Sequence, residues 1–197
     1  MSKAEYSRKT KETEIEVKIA YPTTGKINIS TGIGFFDHML TLFAKHGGFD
    51  MEVTAKGDLN VDAHHTVEDV GICLGKTFSK LFPDFETRNR FGHSVVPMDE
   101  ALAETAIDLS GRSHLEFTAE LPKIKLGDFD IELTEEFFKA FVNHFKITLH
   151  IILRSGRNMH HCLEAVFKSF AKALAEALME NKLYSQFGSS TKGTIDK

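Results

Sequence analysis

The sequence predicts an α+β protein made of two similar halves. Alternating apolar residues indicate strands and apolar residues three or four apart indicate helices, and both occur in the order β-β-α-β-α, once in residues 1–90 and once in residues 91–197. Particular residues also recur at a period of roughly 95, which is too long for a solenoid. We therefore expect a single domain, residues 1–197, with two sheets, helices packed between or against them, and an internal duplication about a pseudo-twofold axis.

The first half carries both periodicities in turn. Residues 12–19 alternate polar and apolar side chains, which predicts a half-buried strand, and a second short strand is expected around Ile27 and Ile29. A helix is predicted by Met39, Leu40, Leu42 and Phe43. A third strand follows at Phe49, Met51 and Val53. A longer helix is then indicated by Val67, Val70, Leu74, Phe78 and Leu81.

The second half repeats that order. Strands are predicted at residues 101–109 and 115–119, on either side of a Gly-Arg-Ser turn. A helix follows, marked by Phe137, Phe138, Phe141, Val142 and Phe145. Residues 147–153 alternate as another strand, and the last helix is expected from about Asn158 to Met179.

Three pairs of segments carry the predicted repeat. Glu12 and the alternating residues after it match Glu104 and its followers at an offset of 92. His38 and His46 match Glu136 and His144, both at an offset of 98. His64-His65 with Glu68 matches His160-His161 with Glu164 at an offset of 96. The changes in offset are expected to fall in loops.

Composition excludes several classes of protein. With 42% hydrophobic and 26% charged residues the chain is expected to fold, and it contains no apolar run long enough for a membrane span. The net charge of −4 argues against nucleic acid as a partner. The N-terminal residues lack the apolar stretch of a signal peptide, and Cys73 and Cys162 fall in apolar patterns, so a cytoplasmic protein with reduced cysteines is expected.

The two histidine clusters predict metal sites. Residues four apart on a helix lie one above the other, so His64 with Glu68, and His160 with Glu164, could each bind one cation. The neighbouring histidine points about 100° away and serves a different ion or none. Imidazole and carboxylate ligands without thiolate suit manganese, iron or zinc, and the oxygen content favours manganese. The alternative is a pair of ordinary helix-start histidines, which the duplication of the motif disfavours.

Several separated motifs resemble one enzyme family. They are Gly32-Ile33-Gly34-Phe35-Phe36-Asp37-His38-Met39-Leu40, the two His-His-x-x-Glu clusters, Pro97-Met98-Asp99-Glu100-Ala101, Asp108-Leu109-Ser110-Gly111-Arg112 and Ser189-Ser190-Thr191-Lys192-Gly193. In this order, over nearly the whole chain, they are similar to the imidazoleglycerol-phosphate dehydratases. The resemblance implies a fold of the ribosomal S5 domain 2-like type. It also implies dehydration of imidazole glycerol phosphate to imidazole acetol phosphate in histidine biosynthesis.

The resemblance also implies cofactors, partners and ligands. Two Mn²⁺ ions per active site are expected, in a homo-oligomer of 24 subunits whose active sites are shared between subunits. One ion would be bound by His38, His65, His160 and Glu164. The other would be bound by His64, Glu68, Glu136 and His161. Many family members have histidine where this chain has Glu136, but a carboxylate can also bind manganese.

The expected chemistry needs a base and a phosphate site besides the metals. Ions on both ring nitrogens favour an imidazolate that expels hydroxide through a diazafulvene-like intermediate. Glu12 matches a substrate-contacting glutamate of the family and is the first candidate base, and His46 is the second. The substrate phosphate is expected to bind at Arg90, Arg112, Lys168, Ser190, Thr191 and Lys192.

Two other functions fit the metal-site pattern. A two-metal hydrolase of a small phosphorylated metabolite would use the same paired ions to activate water. A manganese or nickel storage protein would need the metal ligands but has no use for the arginine pair and the basic, hydroxyl-rich tail. Product formation from imidazole glycerol phosphate without release of free phosphate separates the dehydratase from the hydrolase.

Overall fold

The computed structural model describes residues 1–190, 192 and 195 of the chain. The first half contains β1 (Ser2–Lys9), β2 (Thr13–Tyr21), β3 (Ile27–Ser30), α1 (Gly34–Gly47), β4 (Asp50–Gly57) and α2 (His64–Leu81). The second half contains β5 (Phe91–Met98), β6 (Ala101–Asp108), β7 (His114–Thr118), β8 (Lys125–Leu126), β9 (Phe129–Asp130), α3 (Leu133–Phe145), β10 (Thr148–Ser155), α4 (Met159–Leu178) and α5 (Tyr184–Phe187). The predicted α+β class is confirmed.

The two four-stranded sheets have the same topology. Their strand orders are β1-β2-β4-β3 and β5-β6-β10-β7. In each sheet the last strand of the order is parallel to its neighbour and the other pairs are antiparallel. Strands β8 and β9 form a separate small hairpin before α3. Each half therefore follows the order β-β-β-α-β-α, with one strand more than predicted.

The sequence predicted no strand at β1 or β5, and both lie at a sheet edge; the two-residue strands β8 and β9 were also not predicted. Strand β1 turns only Ala4, Tyr6 and Arg8 toward the interior, and the rest of its side chains are exposed. Strand β5 turns Gly92 inward and exposes Phe91 and Val95, so apolar residues fall on both of its faces and give no clear alternation. Edge strands bury little apolar surface, and their periodicity is correspondingly weak.

The sheet registers correct the predicted offset of the first strands. Val17 pairs with Val53 in one sheet, and Thr105 pairs with Ile151 at the same place in the other. Val17 thus corresponds to Thr105, an offset of 88 and not 92. A strand shifted by four residues keeps the same alternation of buried and exposed positions, so the pattern alone does not distinguish the two alignments. In the correct alignment Glu12 corresponds to Glu100.

The helices lie between the sheets and cross from one half to the other. Helix α2 packs on β1 and β2, α4 packs on β5 and β6, and the helices meet in the pairs α1 with α4 and α2 with α3. Helices α2 and α3 approach closely at Gly71 and Gly75, where α2 has no side chain. A Cβ at either position would lie only 2.8 or 2.6 Å from a carbonyl oxygen of α3, which is too close for any other residue. The largest fully buried side chains are all phenylalanines. These crossings bring residues of different halves together.

In the part of the chain that the structure describes, no helix has both the length and the hydropathy needed to cross a membrane.

A carboxylate fixes the connection between β2 and β3. The Asp50 side chain accepts hydrogen bonds from the hydroxyls of Thr23 and Thr24 at 2.7 and 2.6 Å. It also accepts the backbone N–H groups of Thr24, Gly25 and Lys26 at 2.6–3.0 Å. These bonds, from Thr24 above all, hold the pKa of Asp50 well below its usual value.

Replacing Asp50 with asparagine tests this connection. Because the folded-state pKa is depressed, the stabilisation is complete above the unfolded pKa of about 3.9 and is lost as pH falls toward the folded value. We expect Asp50→Asn to lower Tm by several degrees at neutral pH, and the difference from the parent protein to shrink below about pH 4. The exposed neighbour Glu52, changed to Gln, is the control. A Tm difference that is independent of pH would contradict the role of the charge.

Candidate metal centre

Three potential metal ligands meet where α1 crosses α4. One nitrogen each of His38 and His160 and one oxygen of Glu164 lie within 4.8 Å of one another. His160 and Glu164 are one turn apart on α4, and His38 comes from α1 in the other half. In the described part of the chain, no other such group of three His, Cys, Asp or Glu side chains was found. The site is therefore built by the helix crossing and the four-residue spacing together.

Glu164 is the centre of this cluster. Its Oε1 lies 2.9 Å from His38 Nε2 and 3.1 Å from His160 Nε2, and Lys168 Nζ donates to Oε2 at 2.5 Å. Burial alone would raise the pKa of Glu164, but the hydrogen bonds from Lys168, His38 and His160 together lower it to about 2. The group is an anion at neutral pH, with two imidazole nitrogens converging on it. That donor set, nitrogen and oxygen without sulfur, fits Mn²⁺.

The cysteines are not candidate ligands. Cys162 follows His161 in the sequence, but its side chain is buried, and burial raises the pKa of its thiol. Burial also raises the pKa of the Cys73 thiol to about 12. Both cysteines are protonated core residues, as the sequence analysis expected.

The equivalent cluster on α2 and α3 is more open. His64 Nε2 lies 4.0 Å from Glu68 Oε2, as the four-residue spacing predicts. Glu136 of α3 is half-buried and lies 3.8 Å from Lys139. In the repeat the three residues correspond to His160, Glu164 and His38. Within the described residues they do not form a group as close as that around Glu164.

The second histidine of each pair turns to a different carboxylate. His65 Nδ1 lies 3.0 and 3.2 Å from the two oxygens of Asp58, and its Nε2 is 4.0 Å from Glu12. His161 Nδ1 lies 2.9 Å from Glu100, and its Nε2 is 3.7 Å from Asp99. His65 is thus not a member of the His38 cluster of its own chain.

These contacts shift the pKa values of His65 and His161. The hydrogen bond with Asp58 raises the pKa of His65, and the one with Glu100 raises the pKa of His161. In return His161, with the N–H groups of Asn158 and Arg157, lowers the pKa of Glu100 to about 2. Glu100 is therefore ionised and acts as an acceptor.

The two candidate bases have different surroundings. Glu12 is 55% exposed and lies beside His65. His46 is half-buried near the end of α1, where burial, with Lys168 and Lys172, lowers its pKa. His46 is therefore neutral at pH 7 and able to accept a proton.

The predicted phosphate residues lie in two places. Arg90 binds Asp108 through Nε at 2.8 Å and donates from Nη1 to the Ser189 carbonyl at 2.9 Å. Arg112 donates to a carbonyl in the adjacent β6–β7 turn, and Lys192 N–H donates to Ser190 Oγ at 3.2 Å. The Ser189 hydroxyl is buried and has no hydrogen-bond partner among the described residues. Thr191 lies outside the described residues.

Lys168 is far from the Arg90 group within one chain. The Arg90 N–H donates to the Ala177 carbonyl at 3.2 Å, near the C-terminal end of α4. Lys168 is nine residues earlier on the same helix, which corresponds to about 14 Å at 1.5 Å per residue. The chain therefore does not gather the whole predicted phosphate set by itself.

Two carboxylates near the site were not assigned by the sequence analysis. Asp58 lies between β4 and α2 and Glu100 between β5 and β6, and their contacts depend on loop conformations that spacing does not encode. The Asp69 carboxylate accepts hydrogen bonds from the Arg8 guanidinium and the Thr13 hydroxyl, which ties α2 to β1 and β2.

The fold and the site define a duplicated α+β protein with His and Glu metal ligands at its helix crossings. Residues 31–174 match the family model described as imidazoleglycerol-phosphate dehydratase. The imidazoleglycerol-phosphate dehydratase of Clostridium kluyveri is 54% identical over 192 residues, which is 97% of this chain and 98% of the relative. That of Bacillus cytotoxicus is 52% identical over 195 residues, 99% and 100% of the two chains.

Solved structures agree with the sequence comparisons. The Staphylococcus aureus imidazoleglycerol-phosphate dehydratase superimposes with a TM-score of 0.82 at 40% identity, over 91% of this chain and 99% of that one. The Pyrococcus furiosus enzyme, in complex with (S)-C348, has a TM-score of 0.82 at 37% identity, over 96% and 100%. The chain belongs to the imidazoleglycerol-phosphate dehydratase family. Its activity is that of a lyase of histidine biosynthesis, and the hydrolase and storage alternatives are not supported.

Changing Glu164 to glutamine tests the metal centre. The substitution keeps the shape of the side chain but removes the charge on which both imidazoles converge. We expect the affinity for Mn²⁺, measured by electron paramagnetic resonance titration of free ion, to fall by more than about 100-fold at this site. Glu180→Gln, on a side chain that is 80% exposed, is the control. Unchanged Mn²⁺ affinity in Glu164→Gln would exclude this cluster as a metal site.

Proposed function

We propose that the dehydration takes place in active sites shared by two subunits of a homo-oligomer and dependent on two Mn²⁺ ions. The observation that carries this proposal is the separation of His65 from the otherwise complete group of His38, His160 and Glu164. In one chain His65 faces Asp58 and Glu12, which supports the proposal that the fourth ligand of that group comes from a second copy of the chain.

The proposed sharing uses the helix N-termini of both subunits. One subunit contributes the start of α4, with His160 for the first ion and His161 for the second. The other contributes the start of α2, with His65 for the first ion and His64 for the second. The rings of each pair are nearly perpendicular, with interplanar angles of 84° and 89°, so neighbouring histidines suit different ions. His38 with Glu164, and Glu136 with Glu68, complete the two sets.

Bound at these residues, two Mn²⁺ ions would supply Lewis acidity that stabilises the imidazolate form of the substrate ring and the charge on the departing hydroxyl. The carboxylates Glu164, Glu68 and Glu136 balance part of that positive charge. The first site has one carboxylate and three histidines, and the second has two of each. The two sites are therefore not chemically equivalent.

Glu12 is the proposed base. Its Oε1 is 4.0 Å from His65 Nε2, so a subunit that inserts His65 into a shared site also brings Glu12 to that site. Glu12 is exposed and makes no side-chain hydrogen bond in the described structure, which leaves its carboxylate free to remove a carbon-bound proton. His46 lies on the other subunit of the pair, near Lys168, and is the alternative proton carrier.

The phosphate group is proposed to bind between Lys168 and the residues around Arg90, from different subunits. Arg90 and Arg112 offer guanidinium donors. Arg90 already binds the carbonyl of Ser189, and Ser190 and Lys192 come shortly after that residue in the chain. The oligomer is proposed to contain 24 subunits and to act in the cytoplasm, with no nucleic acid or membrane as partner.

Mixed oligomers test whether the sites are shared. His38→Ala and His65→Ala chains, each inactive alone, would recover about a quarter of the parent activity when assembled together at random, because one shared site in four receives both intact sides. Activity is measured as formation of imidazole acetol phosphate in the presence of Mn²⁺.

A matched mixture provides the control for this experiment. His38→Ala and His160→Ala both damage the side formed by α1 and α4, so no shared site in that mixture has an intact copy of that side. We expect no recovery there. Equal activity of the two mixtures, or no recovery in the first, would contradict the proposed division of ligands.

The role of Glu12 is tested by Glu12→Gln. Loss of a positioned base lowers kcat by about 10²–10⁴. The Mn²⁺ content, measured by elemental analysis, is expected to stay at two ions per chain, because Glu12 is not a proposed ligand. Glu14→Gln, on an exposed side chain two residues further along the chain, is the control. A kcat within tenfold of the parent value would assign the proton transfer to another group, with His46 the next to test.

A further inference from the structure

In each histidine cluster, one imidazole is hydrogen-bonded through Nδ1 to a carboxylate outside the proposed ligand sets. His65 and His161 both have Nδ1 at hydrogen-bond distance from a carboxylate, Asp58 and Glu100 respectively. An ionised carboxylate only accepts hydrogen bonds, so in both rings Nδ1 carries the proton. In the neutral imidazole this leaves the lone pair on Nε2, the atom that faces away from the supporting carboxylate.

The Glu100 carboxylate is itself fixed. Its Oε1 accepts the N–H groups of Arg157 and Asn158 at 3.1 and 2.7 Å, and its Oε2 receives His161. Asn158 is the N-cap of α4, and its side chain accepts the His160 N–H. Glu100 therefore ties the turn between β5 and β6 to the first turn of α4. It holds His161 at a defined angle to His160.

The repeat predicts a different partner for His65 from the one observed. Glu12 corresponds to Glu100 by the sheet registers, and His65 corresponds to His161. If the halves had kept the same contacts, Glu12 would support His65 Nδ1. Instead, Asp58 occupies that place, and Glu12 faces the opposite nitrogen of the ring at 4.0 Å.

A longer loop makes this exchange possible. Gly57 and Gly156 are equivalent, because a Cβ at either would collide with the side chain at the same place in the following helix, Thr66 or Cys162. From Gly57 to His64 is seven residues, whereas from Gly156 to His160 is four. Asp58 lies in the longer loop.

We propose that Asp58 and Glu100 are positioning residues that hold Nδ1 of His65 and His161 so that Nε2 of each ring is presented to a cation. We further propose that Asp58 replaces Glu12 in this task and so releases Glu12 to act on the substrate. The inference rests on the proposed function, in which both histidines are ligands. It assigns a task to two carboxylates that the ligand sets do not include.

Alanine substitutions of the two carboxylates test the proposal. In Asp58→Ala and Glu100→Ala the supported ring loses its acceptor, and we expect the affinity for Mn²⁺, measured by isothermal titration, to fall by about 10–100-fold at the affected site. In the metal-free full-length protein, ¹⁵N shifts of labelled histidine should show Nδ1–H in the parent protein and a mixture of tautomers in the variant. The conservative change Asp58→Glu, which restores an acceptor, is expected to recover most of the affinity.

Asp62 offers a matched control in the same loop. Its carboxylate accepts the backbone N–H of His64 at 2.8 Å and, among the described residues, makes no hydrogen bond to either imidazole of the pair. Asp62→Ala should leave the tautomer of His65 unchanged and alter Mn²⁺ affinity by less than threefold. An equal loss in Asp62→Ala and Asp58→Ala would mean that only the stability of the loop matters, and would overturn the inference.

His65→Ala separates this inference from the proposed function. If His65→Ala leaves the affinity for Mn²⁺ unchanged, His65 is not a ligand and the proposed function fails. If His65→Ala weakens Mn²⁺ binding while Asp58→Ala and Glu100→Ala bind as the parent protein does, the ligand set stands and the positioning role is wrong.

Discussion

The crossing of helices between the two halves is the constraint on which the rest of the structure depends. Each half forms a sheet with helices on one face, and that face is buried only when α1 lies against α4 and α2 against α3. Phenylalanine side chains fill the space between the helices, and Gly71 and Gly75 let α2 approach the α3 backbone. His38 meets Glu164 because of this packing, so folding and assembly of the ligand cluster are one event.

The sequence predicted those parts of the site that depend on local geometry. A spacing of four residues on a helix puts His160 over Glu164 whatever surrounds them, and the structure has this contact at 3.1 Å. The α+β class followed from the two periodicities for the same reason. The resemblance to a family contributed the link between His38 and the α4 pair, which no spacing within one element can provide.

The parts that the sequence did not predict depend on non-local geometry. Strand pairing has a period of two, so the alignment of Glu12 with Glu104 had the right alternation but was four residues out of register. The sheet places Glu104 against His93 and Arg154, away from the ligands. The support of His65 by Asp58 depends on the path of a six-residue loop. Neither fact is encoded in an amphipathic pattern.

The repeated architecture suits a substrate that is only partly symmetric. In the proposed mechanism an imidazole ring offers two nitrogens to two ions, and related halves can supply two related ligand sets. Elimination, however, removes a proton from one face of one carbon, so a base is needed once. Glu100 is held by two backbone N–H groups and His161, whereas Glu12 is exposed and, among the described residues, its carboxylate has only the 4.0 Å contact with His65. In the first half Asp58 takes over the support of His65. Under the proposal, Glu12 is therefore left free to move as proton transfer requires.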